Sequence, residues 1–194
     1  MEKKYNELCN IPSDINEHLP TLYKYACECE SILELGVRGC VSSWAFLMGK
    51  PKLLIMNDIT ECDVKFFTMM AKRTHTKVKT IWESDLTLTL DKAVDLVFID
   101  TYHVYGQLKR ELAKFAPLCN KYIIMHDTEV DGVYGECWRN MWNVNQMAKM
   151  TGIPVEEHMK GLQQAIDEFL ASNSDWELHE VFTNNNGLTI LKRK

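Results

Sequence analysis

The chain has 194 residues, with 22 basic and 27 acidic side chains for a net charge of −5, and it is 46% hydrophobic and 25% charged. That balance suits a globular domain long enough for one substantial core, and it argues against a broad basic footprint for nucleic acid or an anionic membrane. No apolar run reaches membrane-spanning length, Met1-Glu-Lys-Lys-Tyr-Asn-Glu lacks the apolar core of a secretory signal, and the seven cysteines, an odd number set mostly in apolar segments, read as buried free thiols of a reducing, cytoplasmic compartment.

Residues 1–12 are polar and predict a loose start. Ser13-Asp14 with Glu17 has capping-box spacing for a helix. Leu19, Leu22, Tyr23, Ala26 and Cys27 recur at helical intervals, and Pro20 divides this stretch into a turn and a helix of about two turns. Cys27 and Cys29 are spaced like metal ligands, but no second Cys or His pair completes a zinc site. Ile32, Leu33 and Leu35 predict a strand over 31–35 that is covered on both faces. Gly36 and Gly39 then allow a sharp turn and a close approach to a ligand. Ser42 or Ser43 is placed to cap a helix through Met48, which Gly49 ends.

A second strand over 51–58 finishes on Asp58. Thr60 opens a helix with Asp63 in capping position and Val64, Phe67 and Ala71 facing inward. Residues 76–82 alternate as a strand with one more open face, and Glu83-Ser84-Asp85 follows as a polar loop. The clearest buried strand is 94–100, ending on Asp100. Val104, Leu108, Leu112 and Phe115 form the stripe of the next helix, stopped by Pro117. A fifth strand over 121–125 leads into His126-Asp127-Thr128. Segment 129–160 is the least regular, and Tyr134, Trp138 and Trp142, at helical spacing, read as core packing rather than as a substrate platform. Leu162, Ala165, Ile166, Phe169 and Leu170 predict an amphipathic helix. Residues 176–182 and 188–191, joined through Asn184-Asn-Asn-Gly187, predict a closing hairpin. With no repeat and no linker, 1–194 reads as one domain.

Strands alternating with helices imply a mainly parallel sheet, whose functional residues gather at the strands' carboxyl ends. Polar or acidic groups stand at all five: Glu34 with Gly36, Asp58, Ser84-Asp85, Asp100 and His126-Asp127. Any one of them could simply cap the next helix; the full set is harder to explain that way. There is no Gly-Lys-Ser/Thr for a nucleoside triphosphate and no G-x-G-x-x-G for a dinucleotide. Glu34 would repel a pyrophosphate and suits a cationic group such as an amino-acid ammonium. Asp58 suits a ribose diol, whose two hydroxyls a carboxylate can accept.

Taken in order, Glu34-Leu-Gly36-x-x-Gly39, Asp58, Ser84-Asp85 and Asp95-Leu-Val-Phe-Ile-Asp100 resemble class I S-adenosylmethionine-dependent methyltransferases over roughly residues 31–127. Phe98-Ile-Asp-Thr-Tyr-His-Val-Tyr105 and Ile123-Ile-Met-His-Asp-Thr128 are similar to one branch, the small-molecule and sugar O-methyltransferases with the cephalosporin hydroxylase-like group. The resemblance implies a Rossmann-like doubly wound sheet of seven strands, order 3-2-1-4-5-7-6, with an antiparallel C-terminal hairpin and residues 1–30 as a helical cover. It implies S-adenosylmethionine as cofactor and methyl transfer to a hydroxyl of a small molecule or sugar. Glu34 and Gly36 would hold the methionine end, Asp58 the ribose, and Ser84 and Asp85 the adenine. Asp100 would lie beside the methionine end or a metal, and Ser42 and Ile59 complete the cofactor set. Arg38 either pairs the methionine carboxylate or sits on the surface.

Removal of the acceptor's proton would fall to His103, His126 or Asp127, with Tyr105 nearby. Each histidine reads equally well as a hydrogen-bonded structural residue. Asp100, His126 and Asp127 could hold a divalent metal such as Mg²⁺ that lowers the hydroxyl's pKa, although a histidine in the set suits a transition metal better. No nucleic acid or membrane partner is expected, and a homo-oligomer is left open. The alternatives are a non-catalytic cofactor-binding or scaffold protein of this fold, and hydroxylase-like chemistry.

Overall fold

Four short strands enclosed on both faces form the centre of a seven-stranded sheet in the computed structural model, which describes residues 1–194. They are β1 (Ser31–Leu35), β2 (Leu53–Asp58), β4 (Val94–Ile99) and β5 (Cys119–His126), with β3 (Lys77–Trp82) on one edge. The order is β3-β2-β1-β4-β5-β7-β6. The first five strands run parallel, and β6 (Trp176–Phe182) and β7 (Leu188–Arg193) close the sheet as the expected antiparallel hairpin.

Alternation along each strand divides the core in two. Ile32, Leu54, Met56, Leu96, Phe98 and Ile124 face one layer, built on α1 (Glu2–Asn10), α2 (Leu19–Ala26), α3 (Val41–Met48) and α4 (Lys65–Ala71). Leu33, Leu35, Ile55, Val97, Ile99 and Ile123 face the other, covered by α5 (Tyr105–Phe115) and α8 (Leu162–Ser172). Between β5 and α8 lie two short helices, α6 (Glu136–Arg139) and α7 (Val144–Thr151).

Several local expectations are corrected. The N-terminus is not loose: α1 buries Tyr5, whose ring meets Tyr23 edge-on at 5.7 Å. Ser13-Asp14 caps no helix. The expected division into a turn and a helix of about two turns does hold, as a 3₁₀ turn over Asn16–His18 and α2, which carries Pro20 in its first turn, where the missing N–H costs no hydrogen bond. Ser42 and Ser43 lie inside α3 rather than at its cap, which is Cys40 in the left-handed region. The helix expected from Thr60 begins at Lys65, because the Thr60 N–H and hydroxyl both turn back to Asp58. Tyr134, Trp138 and Trp142 are exposed, not core: the helix there is only four residues long and turns Cys137 inward instead. All seven cysteines are free, but only Cys29, Cys40, Cys119 and Cys137 are buried. No helix is long and apolar enough to cross a membrane.

Candidate active site

The turn after β1 is shaped by contact with the end of β4. Gly36 has φ +90°, and a Cβ there would fall 1.9 Å from the Asp100 carbonyl oxygen, so only glycine fits. Arg38 and Cys40 also take positive φ. Asp58 holds the turn in place. Its Oδ2 accepts the Val37 and Arg38 backbone N–H groups, both at 3.0 Å, and its Oδ1 accepts from Thr60. Burial raises its pKa, but these donors outweigh burial and keep it below the ordinary carboxylate value. The Arg38 guanidinium lies 2.8 Å from Asp14 and 3.6 Å from Asp100. All three residues line a cavity of about 220 Å³, together with Val37 and Ser42.

Of the residues expected around the cofactor, Arg38, Ser42 and Asp100 therefore border one cavity, while Gly36, in the same turn, packs on the Asp100 carbonyl and does not line it. The others are held elsewhere. Glu34 is fully buried and accepts hydrogen bonds from the Ser42 and Ser43 hydroxyls at 2.6–2.9 Å. Burial pushes its carboxyl up to about 8. Ile59 is exposed. The Ser84 hydroxyl accepts the Leu86 N–H. Asp85 accepts both its bonds from Gln107, which also donates to the buried Glu111; burial and the Asp85 charge push the Glu111 carboxyl well above its ordinary value.

The second half of the site is a cage of acids around two imidazoles. His103 Nε2 lies 3.2 Å from both Asp100 Oδ1 and Asp127 Oδ2, and its Nδ1 faces Glu136 at 3.5 Å and Asp131 at 3.7 Å. His126 Nδ1 lies 3.4 Å from the same Asp100 and Asp127 oxygens, and its Nε2 meets the Asn185 carbonyl at 3.2 Å. Burial opposes charge on both rings, yet the hydrogen bonds and charges of these carboxylates prevail and raise each pKa to about 10. The rings in turn hold Asp100 and Asp127 below the usual range despite burial.

Asp127, at φ +58°, sits on a tight turn that delivers Asp131, itself locked to Arg139 by two bonds of 2.7 and 2.8 Å. Two buried atoms of the cage lack partners, His103 Nδ1 and Asp127 Oδ1. Ligand atoms of Asp100, His103 and Asp127 lie within 4.8 Å of one another, so His103 stands in the three-residue group where His126 was expected. Tyr105 is turned away, donating to Glu168. Asp131, Glu136 and Asn185 carry no sequence signal of their role: two lie in the irregular segment after β5 and one in a hairpin turn.

No protein-family model matches the chain, and no curated protein does. Solved structures do. A candidate caffeoyl-CoA O-methyltransferase from Staphylococcus aureus aligns with a TM-score of 0.62 at 17% identity, over 98% of this chain and 88% of that one. N-methyltransferase NodS from Bradyrhizobium japonicum aligns at 0.61 and 11% identity, over 93% and 96%. An O-methyltransferase from Bacillus cereus, solved with S-adenosylhomocysteine, aligns at 0.60 and 13% identity, over 95% and 83%. With its sheet order, these likenesses show that the chain has the Rossmann-like methyltransferase fold.

Proposed function

We propose that this chain is an S-adenosylmethionine-dependent O-methyltransferase acting on a hydroxyl of a small molecule or sugar. The observation that carries this reading is the double position of Asp100. One of its oxygens faces Arg38 over the cavity of the glycine turn, and the other faces His103 and His126. A cofactor pocket and a proton-handling cage thus share one carboxylate, the juxtaposition that methyl transfer needs. In the same reading residues 1–194 are one cytoplasmic domain, with residues 1–30 as its helical cover.

The bound cofactor supplies an activated sulfonium methyl. Arg38 offers a guanidinium to its carboxylate, Ser42 and Asp100 line its cavity, and Asp58 fixes the turn beneath it. On the acceptor side, the buried Asp127 Oδ1 has no partner of its own, so a hydroxyl admitted to the cage would donate to it, and the charged His103 and His126 rings offset the surrounding carboxylates as the oxygen becomes anionic. The unpartnered Asp127 Oδ1 and the mixed nitrogen–oxygen donor set fit a divalent cation that Asp100, His103 and Asp127 would hold once the His103 ring has given up its proton. Such an ion would lower the hydroxyl's pKa, and the histidine favours a transition metal over Mg²⁺.

The test is calorimetric titration with S-adenosylmethionine, S-adenosylhomocysteine and NAD. Micromolar binding of the first two, on the order of −8 kcal/mol, without an NAD response is expected, and Arg38→Ala should weaken it roughly tenfold, about 1.4 kcal/mol. If neither cofactor form binds, with or without added Mn²⁺ and a panel of hydroxyl acceptors, the reading fails.

A further inference from the structure

We infer that the acceptor is a ring-bearing apolar alcohol or phenol, held on an aromatic ledge formed by residues 130–142. The ledge is argued from the surface itself; its role as an acceptor site rests on the methyl-transfer reading above.

The segment after β5 holds large apolar side chains out in water. Val133 is 75% exposed, Tyr134 58%, Trp138 55% and Met141 91%, and Val130 and Trp142 are each about two-fifths exposed. Single exposed apolar residues are ordinary, whereas six of them within residues 130–142 point to a binding surface. Slackness does not explain it, because the segment is fastened at several points. Asp131 is wholly buried and doubly bonded to Arg139. The Glu136 N–H donates to the His103 carbonyl at 2.7 Å, and the His103 N–H donates back to the Glu136 carboxylate at 3.3 Å. Gly135 lies so close to the Lys160 and His103 carbonyls that a Cβ would meet them at 2.8 and 3.0 Å.

Those fastenings tie the ledge to the reacting end of the site. Glu136 touches His103 and stands between Tyr134 and Trp138 in the chain. The Tyr134 and Trp138 rings are 5.6 Å apart and inclined by 33°. Tyr102, next to His103 in the chain, pairs its ring with Trp142 at 6.2 Å and 32°. Each partner of the His103–Glu136 contact thus has a tilted aromatic pair next to it in the chain.

The chemistry of the ledge selects the occupant. The charged and amide side chains within it are already engaged, Arg139 on Asp131, Asn140 on Glu136 and Glu136 on His103, which leaves the Tyr134 hydroxyl and the Trp138 and Trp142 indole N–H groups to meet a ligand's hydroxyl. What is left exposed is aromatic ring, valine and methionine with those three polar points, which suits a flat apolar body carrying a hydroxyl and gives a polyhydroxylated sugar few donors or acceptors. A second copy of the chain is a weaker fit. Stable interfaces take about 20–30 residues a side, and this patch has six.

The test uses the intact chain with naphthol and methyl glucoside as probes, read by tryptophan fluorescence and calorimetry, with and without S-adenosylhomocysteine. Naphthol is expected to quench fluorescence and to bind at least tenfold more tightly than methyl glucoside, by about 1.4 kcal/mol. Trp138→Ala and Tyr134→Ala should each weaken naphthol roughly tenfold, leaving S-adenosylhomocysteine affinity unchanged. Met69→Ala, an exposed apolar control on α4, should alter neither. The inference is overturned if methyl glucoside binds as well as naphthol, or if the two aromatic variants bind naphthol like the native chain. It is also overturned if light scattering finds a dimer that Trp138→Ala dissociates, which would give the patch to a second copy. Naphthol binding at the ledge in a chain that binds no cofactor would uphold the ledge and reject methyl transfer; cofactor binding with no ledge effect would do the reverse.

Discussion

Glu34 shows how far the meaning of a single residue depends on its surroundings. Its Oε1 and Oε2 lie 2.9 and 2.7 Å from one Ser43 hydroxyl, which has only one proton to give. A proton on the carboxyl, donated back to Ser43, resolves that shortage, and it agrees with the rise of the pKa to about 8 by burial, helped by the charges of Asp100 and Asp58. Between the ordinary 4.5 and 8 the folded chain keeps a proton that the unfolded chain has lost. This group's contribution to stability is therefore present below the lower value and declines as pH rises through the window. Glu34→Gln copies the neutral acid and has no such decline. Its melting temperature relative to the native chain should rise between about pH 5.5 and about pH 8.5 by roughly 2 kcal/mol or more, some 4–8 °C. A difference that stays constant, or turns against the variant at high pH, would show that Glu34 is folded as a carboxylate. An acid at the end of the first strand is plain in the sequence. Its isolation from any ligand is not, because β1 is central and encloses residues of both faces alike.

At the scale of elements, the parts that could be read were those whose cause is local. The strands β1, β2, β4 and β5 follow from apolar runs, α5 and α8 from stripes of period 3.6, and the terminal hairpin from Asn-Gly. Interactions across the chain left no such trace. The β6–β7 turn is the clearest case, since by composition it is only a turn. In the structure it is a strap: Asn185 accepts the Glu17 N–H and donates to the Ser13 carbonyl, Asn184 donates to the Glu17 carboxylate, and the Asn184 and Asn185 carbonyls meet His18. These partners lie more than 160 positions away, beyond any periodicity. The strap holds segment 13–18 against the Arg38 cavity, where Asp14 pairs with Arg38. Asn185→Ala removes two side-chain hydrogen bonds, worth about 1 kcal/mol each. Amide exchange in residues 15–18 should then quicken roughly 30-fold while the β4 and β5 amides keep their protection. Unchanged exchange at 15–18 would mean that the N-terminal helices hold this segment without the turn.

The whole molecule decides where its charge is stored. The order β1-β4-β5 brings the carboxyl ends of three strands together, and with them Asp100, Asp127, Asp131 and Glu136 around His103 and His126. In a chain of net charge −5, that concentration of acid is tolerable because both rings are held protonated. Their pKa values rise from 6.5 to about 10 on folding. The stability they contribute is complete below 6.5 and is lost as pH climbs through 10. The carboxylates act in the opposite sense, since Asp100, Asp127 and Glu136 are held below their ordinary values and lose their contribution as pH falls toward and below them. Glu34 adds a second decline on the alkaline side. Together these place the stability maximum on the acid side of neutrality. The two rings share Asp100 and Asp127, so the pair contributes less than twice one ring alone. From the rings alone a fall of roughly 3 kcal/mol or more, at least 6–12 °C in melting temperature, is expected between about pH 6 and about pH 9, with the Glu34 decline added to it, measured with chelator present so that no metal competes for the rings. His103→Gln should cost more stability at the lower pH than at the higher, narrowing its gap to the native chain as the imidazolium titrates. A melting temperature that holds level to pH 9, with a gap for His103→Gln that does not change, would mean that the rings are neutral in the folded protein and that the acids are balanced by another cation.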